Sequence, residues 1–153
     1  MTIRSMTAAD LDAVIRLAAS IPEAPRWPRP AWEQYLADTD PLRRVFLAES
    51  GRELTGFLAS QIIAEACELE SIAVSLTHRR SGIATDLLAA LVTWAQQHGA
   101  SKVQLEVRCA NYSAEGFYES SGFCRDGLRP RYYHDPEDDA LLMTLPLGPP
   151  PQL

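Results

Sequence analysis

The distribution of apolar positions divides the chain into alternating strands and helices. From Ile83 to Ala95, apolar side chains recur every three or four residues, which is the spacing of a helix that buries one face. Residues 102–108 instead alternate strictly between apolar and polar side chains, which predicts a half-buried strand. Its polar face carries Gln104, Glu106 and Arg108.

The same two periods predict the other elements. In the first half of the chain they are a strand at residues 2–5, a helix from Thr7 to Pro22, a short helix at 30–36, a strand near 45–48, a partner strand at 54–63 and a strand at 67–74. The long helix ending at Gly99, the strand at 102–108 and a helix at 113–120 follow. One further strand begins at Gly122, and the last spans 140–145. This order predicts an α/β fold with a mixed central sheet of about six to seven strands and about four helices. Residues 1–147 are predicted to form one domain, followed by a disordered proline-rich tail at residues 148–153.

Composition and charge exclude several classes of protein. The net charge of −6 argues against a nucleic-acid-binding surface and suits a cationic partner. No apolar run has membrane-spanning length and the first residues open no signal peptide, so we expect a soluble, cytoplasmic protein with no membrane contact. The three cysteines and three histidines are scattered without metal-ligand spacing. They predict no metal site, and the cysteines are interpreted as small core residues.

The turn from Arg79 to Ala84 carries the first chemical signal. It joins a strand to the start of the long helix, where free backbone N–H groups and the helix dipole attract anions. Gly82 leaves room for a phosphate, and two arginines add positive charge. The turn therefore suits a pyrophosphate, although such a turn can also be a plain solvated connection. It is neither a Walker A loop nor a Gly-x-Gly-x-x-Gly loop, which disfavours an ATPase and a dinucleotide oxidoreductase.

Several segments together resemble the GNAT superfamily of acyl-CoA-dependent N-acyltransferases. Within that superfamily the chain is most similar to the RimI type, the ribosomal-protein alanine N-acetyltransferases. The segments that carry the resemblance are Ile72-Ala73-Val74, Arg79-Arg80-Ser81-Gly82-Ile83-Ala84, Leu105-Glu106-Val107-Arg108, Asn111, Phe117-Tyr118-Glu119-Ser120-Ser121-Gly122-Phe123, Tyr132-Tyr133 and Asp138-Asp139-Ala140-Leu141. Two positions depart from the common pattern: Arg79 stands where glutamine is frequent, and Ala84 where glycine is frequent.

The resemblance implies acetyl-CoA as co-substrate and a GNAT fold. It places the pyrophosphate on the turn formed by Arg79, Arg80, Ser81, Gly82, Ile83 and Ala84. It places the pantetheine arm along the strand Ile72-Ala73-Val74, and it makes Asn111 a further cofactor contact.

The resemblance also implies the catalytic groups. Glu106 is expected to be the general base, directly or through a water, and Tyr118 the acid that protonates the departing thiolate. The N–H of Val74 is expected to polarise the thioester carbonyl. Glu68 and Glu70 remain rival bases, because other members of the superfamily use the strand before the glycine turn.

The expected acceptor is the α-amine of a protein N-terminus, of the ribosomal-protein alanine type. An α-amine has a reference pKa near ~8 against ~10.4 for lysine, so it is more easily deprotonated at neutral pH. Trp27, Tyr132 and Tyr133 are expected to bind this acceptor, with Asp135, Glu137, Asp138 and Asp139 attracting a cationic peptide. The alternatives are a small-molecule amine or a lysine as acceptor, or an acyl-CoA-binding module without turnover.

Overall fold

The computed structural model describes residues 1–148, which contain seven strands and four α-helices. The strands are β1 (Thr2–Ser5), β2 (Arg43–Ser50), β3 (Glu53–Ile63), β4 (Ala66–Val74), β5 (Lys102–Arg108), β6 (Cys124–His134) and β7 (Glu137–Pro146). The helices are α1 (Leu11–Ser20), α2 (Arg29–Glu33), α3 (Ile83–Gln97) and α4 (Tyr112–Ser120), with single 3-10 turns at Ala8–Asp10 and Leu76–His78. Apart from Gly148, the predicted disordered tail lies outside the described residues.

The seven strands form one mixed sheet in the order β1-β2-β3-β4-β5-β7-β6. All neighbours are antiparallel except β4 and β5, which α3 joins as a parallel pair. This is the predicted GNAT fold, with seven strands and four α-helices.

Both faces of the central strands are buried, because side chains alternate between two apolar cores. Phe46 and Leu58 lie opposite one another and pack on the α3 side of the sheet. Leu47 and Phe57, one residue along each strand, pack on the other side with α1 and the fully buried Trp32 of α2. The fold therefore holds the sheet rigidly from both sides at β2 and β3.

Three predictions about local structure were wrong in detail. The second helix ends at Glu33 rather than Leu36, because Tyr35 and Leu36 donate to carbonyls only three residues back. Strand β6 begins at Cys124 rather than Gly122, and β7 extends beyond the predicted 140–145 at both ends to close a hairpin with β6. Of the cysteines, only Cys67 is buried, and Cys124 is exposed at the start of the edge strand β6.

Candidate active site

The parallel pair β4 and β5 separates after three residue pairs. Ala66, Cys67 and Glu68 lie opposite Lys102, Val103 and Gln104, and the two strands then diverge. A cleft of about 800 Å³ opens between them and reaches the N-terminus of α3. The divergence leaves one edge of β4 without a neighbouring strand from Leu69 onward, within the described residues.

The register of β4 on β3 fixes which backbone groups point into this cleft. The N–H of Ser75 donates to the carbonyl of Thr55 on β3 at 2.8 Å. Because N–H groups alternate in direction along a strand, those of Val74 and Ile72 point toward the cleft. These are the two residues that the resemblance assigns to the pantetheine arm and the thioester carbonyl.

The turn before α3 has the backbone shape of an anion site. Gly82 caps the helix with φ = 83°, a left-handed conformation that suits glycine, and a Cβ at this position would meet no atom within 4 Å. Arg80 is also left-handed, with φ = 63°. Arg79, Arg80, Gly82, Ile83 and Ala84 all line the cleft. The turn therefore leaves open space in front of the first amides of α3, which fits a phosphate group.

Ser81 is the one member of the predicted turn that does not line the cleft. Its hydroxyl donates instead to the carbonyl of His78. His78 lines the cleft, and its Nδ1 lies 2.7 Å from the Ser75 hydroxyl. Sequence reasoning missed His78, because no spacing pattern connects it to the turn.

Arg79 contacts a loop from the other side of the cleft. Its Nη2 lies 3.1 and 3.2 Å from the two carboxylate oxygens of Glu23, and this interaction lowers the pKa of Glu23. Its Nε donates to the carbonyl of Val74 at 3.4 Å. Arg79 thus joins the α1–α2 loop to the end of β4, a contact that the sequence alone did not predict.

Glu106 and Tyr118 line the same cleft from β5 and α4. Tyr118 is 6% exposed and packs against Phe117 and Phe123. Burial raises the pKa of Tyr118 to about 12, so its hydroxyl keeps its proton at neutral pH. The side chain of Glu106 is 28% exposed and pairs with Arg129 of β6 at 3.3 Å. Glu106 and Tyr118 together therefore place a carboxylate and a proton donor in one cleft.

The two rival carboxylates of β4 have different surroundings. Glu68 accepts a 2.7 Å hydrogen bond from Gln104 where the strands still pair, and it does not line the cleft. Glu70 does line the cleft, and its Oε1 accepts a 2.9 Å hydrogen bond from the Tyr35 hydroxyl.

Asn111 lies at the start of α4 and at the edge of the cleft. Its side-chain oxygen accepts from the N–H of Ala114 at 3.2 Å, which makes Asn111 the N-cap of this helix. Asn111 therefore both caps α4 and lines the cleft.

The three predicted acceptor-binding aromatics lie outside the cleft lining. The ring of Trp27 stacks on Tyr35 with centroids 5.6 Å apart. Tyr132 and Tyr133 lie near the β6–β7 turn, and hydrogen bonding to the Glu106 carboxylate raises the pKa of Tyr132. Arg108 lies over the Tyr133 ring at 4.3 Å. Tyr132 and Tyr133 thus border the Glu106 carboxylate, whereas Trp27 is linked to the cleft only through Tyr35.

Most of the acids near the β6–β7 turn already have partners within the chain. Asp138 accepts from the N–H of Ala110 at 2.9 Å, and Asp139 accepts from the N–H of Arg131 at 2.9 Å. Glu137 lies 3.6 Å from Arg131. These contacts hold the carboxylates in place within the hairpin, and Arg131 offsets the charge of Glu137.

Within residues 1–148, no group of three or more His, Cys, Asp or Glu side chains is placed to hold a metal ion. None of the helices described is long and apolar enough to span a membrane.

Comparison with known proteins matches this geometry to one family. The profile of the Acetyltransferase (GNAT) family matches residues 11–123, and the chain belongs to that family. It is therefore an acetyl-CoA-dependent N-acetyltransferase, and the cleft described above is its candidate active site.

Individual relatives include enzymes that act on protein N-termini. The chain is 33% identical over 104 residues to the ribosomal protein bS18-alanine N-acetyltransferase of Escherichia coli K12, covering 67% of this chain and 70% of that protein. It is 44% identical over 78 residues to an N-alpha-acetyltransferase of Saccharolobus solfataricus, covering 50% of this chain and 46% of that protein. The crystal structure of the ribosomal-protein-S18-alanine N-acetyltransferase from Escherichia coli superposes with a TM-score of 0.85 at 27% identity, covering 99% of this chain and 96% of that one.

Proposed function

We propose that this enzyme transfers the acetyl group of acetyl-CoA to the α-amine of a protein N-terminus, of the ribosomal-protein alanine type. The observation that carries the proposal is that Glu106 and Tyr118 line one cleft with the anion-binding turn. The names of the relatives from Escherichia coli and Saccharolobus solfataricus support the choice of acceptor.

The turn and β4 hold the co-substrate in this proposal. The amides at the start of α3, with Arg79 and Arg80, bind the pyrophosphate, and the cleft-facing groups of Ile72 and Val74 bind the pantetheine arm. When bound, acetyl-CoA supplies an activated acetyl thioester. The N–H of Val74 points toward the cleft, which suits a donor to the thioester carbonyl.

Glu106 and Tyr118 divide the proton transfers. The amine nitrogen forms a bond to the acetyl carbon while the carbon–sulfur bond breaks. Glu106 accepts the proton that the amine loses, directly or through one water. Tyr118 gives its proton to the thiolate, and its pKa of about 12 keeps that proton available at neutral pH. The products are an N-acetylated chain and CoA.

The acceptor is tested by comparing three substrates. One is an Ala-starting basic peptide, the second is its N-terminally blocked copy with an internal lysine, and the third is a set of small polyamines and amino acids. We expect the free N-terminus to react fastest, with mass spectrometry locating the acetyl group on the α-nitrogen. Equal rates for the blocked peptide or for a small amine would refute an N-terminal acceptor.

A further inference from the structure

Tyr35 and Glu70 form a hydrogen-bonded pair at the edge of the active-site cleft. The Tyr35 hydroxyl donates to Glu70 Oε1 at 2.9 Å. Tyr35 is 5% exposed, whereas the Glu70 side chain is exposed and lines the cleft. Burial, together with the nearby carboxylate, raises the pKa of Tyr35 above its usual range, so Tyr35 remains a donor. A buried donor thus holds an exposed carboxylate in a fixed position.

A bulge in β4 gives Glu70 its place. Ala59 of β3 lies opposite Ser71 and Ser60 lies opposite Leu69, so Glu70 is the extra residue and has no partner on β3. Glu68 and Gln104 form the last β4–β5 pair, and Glu70 and Glu106 each follow two residues later on the diverging strands. Glu70 therefore lies on the β4 side of the opening and Glu106 on the β5 side.

An aromatic stack fixes the ring of Tyr35. Trp27 lies parallel to it, with an interplanar angle of 8°, and Trp27 in turn packs against Trp32 at 4.9 Å. The guanidinium of Arg43 lies 5.7 Å from the ring centroid of Tyr35. Tyr35 therefore has little freedom to turn its hydroxyl away from Glu70. Through this stack, Trp27 supports a residue of the cleft although it does not itself line the cleft.

Glu70 retains an oxygen that is free to bind a ligand. Among residues 1–148, no lysine or arginine forms an ion pair with Glu70, and Tyr35 is bound to Oε1 only. An exposed carboxylate held by one hydrogen bond can accept a charge-assisted hydrogen bond at its other oxygen. Glu106 is the proposed acceptor of the proton from the reacting amine. Glu70 is therefore available for a cation elsewhere on the acceptor.

We propose that Glu70 is a specificity residue that binds a cationic side chain of the acceptor peptide close to its N-terminus. Tyr35 is a positioning residue that orients Glu70, and Trp27 supports Tyr35. This inference rests on the proposed function, because it needs a peptide acceptor, and it adds a required feature of that peptide. It also gives Glu70 a task other than that of the general base.

The test uses Ala-starting peptides with one arginine at the second, third or fourth position, and copies in which uncharged citrulline replaces that arginine. For the wild-type enzyme, we expect kcat/KM to favour arginine at one of these positions by about tenfold, since a charge-assisted hydrogen bond is lost in the citrulline copy. Glu70→Gln should remove this preference and raise KM for the arginine peptide more than for the citrulline peptide. Tyr35→Phe keeps the stacked ring and should reduce the preference partially.

Glu53→Gln is the matched control, because it removes one exposed negative charge at the β2–β3 turn, outside the cleft lining. It should keep the full arginine preference. An equal loss of kcat with both peptides in Glu70→Gln would assign Glu70 to the chemistry and overturn the inference. An unchanged preference in Glu70→Gln would overturn it too. If the wild-type enzyme acetylates no free N-terminus, the proposed function fails as well, whereas absence of an arginine preference alone refutes only this inference.

Discussion

Tyr118 combines two properties that a catalytic acid needs, since it is buried beside the cleft and keeps its proton. The substitution Tyr118→Phe deletes only the hydroxyl and keeps the packing against Phe117 and Phe123. We expect kcat to fall by about 10²–10⁴, which is the usual contribution of general acid catalysis. Stopped-flow measurement of the chemical step should show this loss, while CoA affinity stays at the wild-type value. Unchanged chemistry in this variant would remove Tyr118 from the mechanism.

Asp10 provides a test of pH dependence outside the active site. A bidentate hydrogen bond from Arg4, at 2.8 Å for each contact, lowers the pKa of Asp10 from 3.8 to about 2. Because the folded-state pKa is depressed, this stabilisation is present above pH 3.8 and is lost as the pH falls through about 2. Asp10→Asn should therefore lower the free energy of unfolding by about 1–2 kcal/mol at pH 7. Urea titrations should show that the difference between the two proteins shrinks from pH 4 to pH 2; a constant difference would contradict the linkage.

At the scale of residues, sequence reasoning identified side chains that repeat a local pattern. Strand alternation placed Glu106 on the polar face of β5, and its expected role came from the family resemblance. Gly82 followed from the turn that precedes a helix. It could not find Tyr35, Glu23 or Arg129, because their partners lie on other elements: Tyr35 meets Glu70 thirty-five residues later in the chain. Trp27 was noticed, but nothing in its neighbourhood indicates that its ring stacks on Tyr35 instead of facing the cleft.

The position of α3 depends on a glycine in a neighbouring strand. A Cβ on Gly56 would lie 3.0 Å from the Ala73 carbonyl oxygen and 3.2 Å from Ile83 Cγ2. Gly56→Ala should push the first turn of α3 away from β3. We expect a loss of about 1–3 kcal/mol in stability from overpacking, together with weaker CoA binding at the turn. Thermal unfolding and isothermal titration with CoA measure the two effects.

Gly116 of α4 is the matched control for this substitution. A Cβ on Gly116 would meet no atom within 4 Å, and alanine is the better helix former. Gly116→Ala should leave CoA affinity unchanged and keep or raise the melting temperature. If Gly56→Ala also leaves CoA affinity unchanged, contact with Gly56 does not set the position of the turn.

At the scale of elements, the types and order were predictable but several ends were not. The long helix and the alternating strand at 102–108 have strong periods, and their type was predicted correctly. The end of α2 depends on hydrogen bonds to carbonyls three residues back, and the bulge at Glu70 depends on pairing with β3. Neither is visible in the period of a single segment.

For the whole molecule, the divergence of β4 and β5 divides the sheet into two parts that share a boundary of three residue pairs. Strands β1 to β4 lie on one side, and β5, β7 and β6 on the other. The two apolar cores are arranged differently, since the α3 core crosses the boundary with Val103 and Met143 while the α1–α2 core remains with the first four strands. The cleft is thus a gap in the hydrogen bonding of the sheet that the apolar core bridges on the α3 face only.

This gap has a consequence for amide hydrogen exchange. The amides of Ile72 and Val74 face the cleft, so solvent can exchange them without any unfolding, whereas the amide of Ala73 faces β3 and requires an opening of the strand. Acetyl-CoA should slow exchange at Ile72 and Val74 strongly and at Ala73 only by its effect on overall stability. NMR-detected exchange with and without the ligand would give an alternating pattern of protection along β4. Uniform protection of the three amides would mean that the ligand rigidifies the sheet without pairing with its open edge.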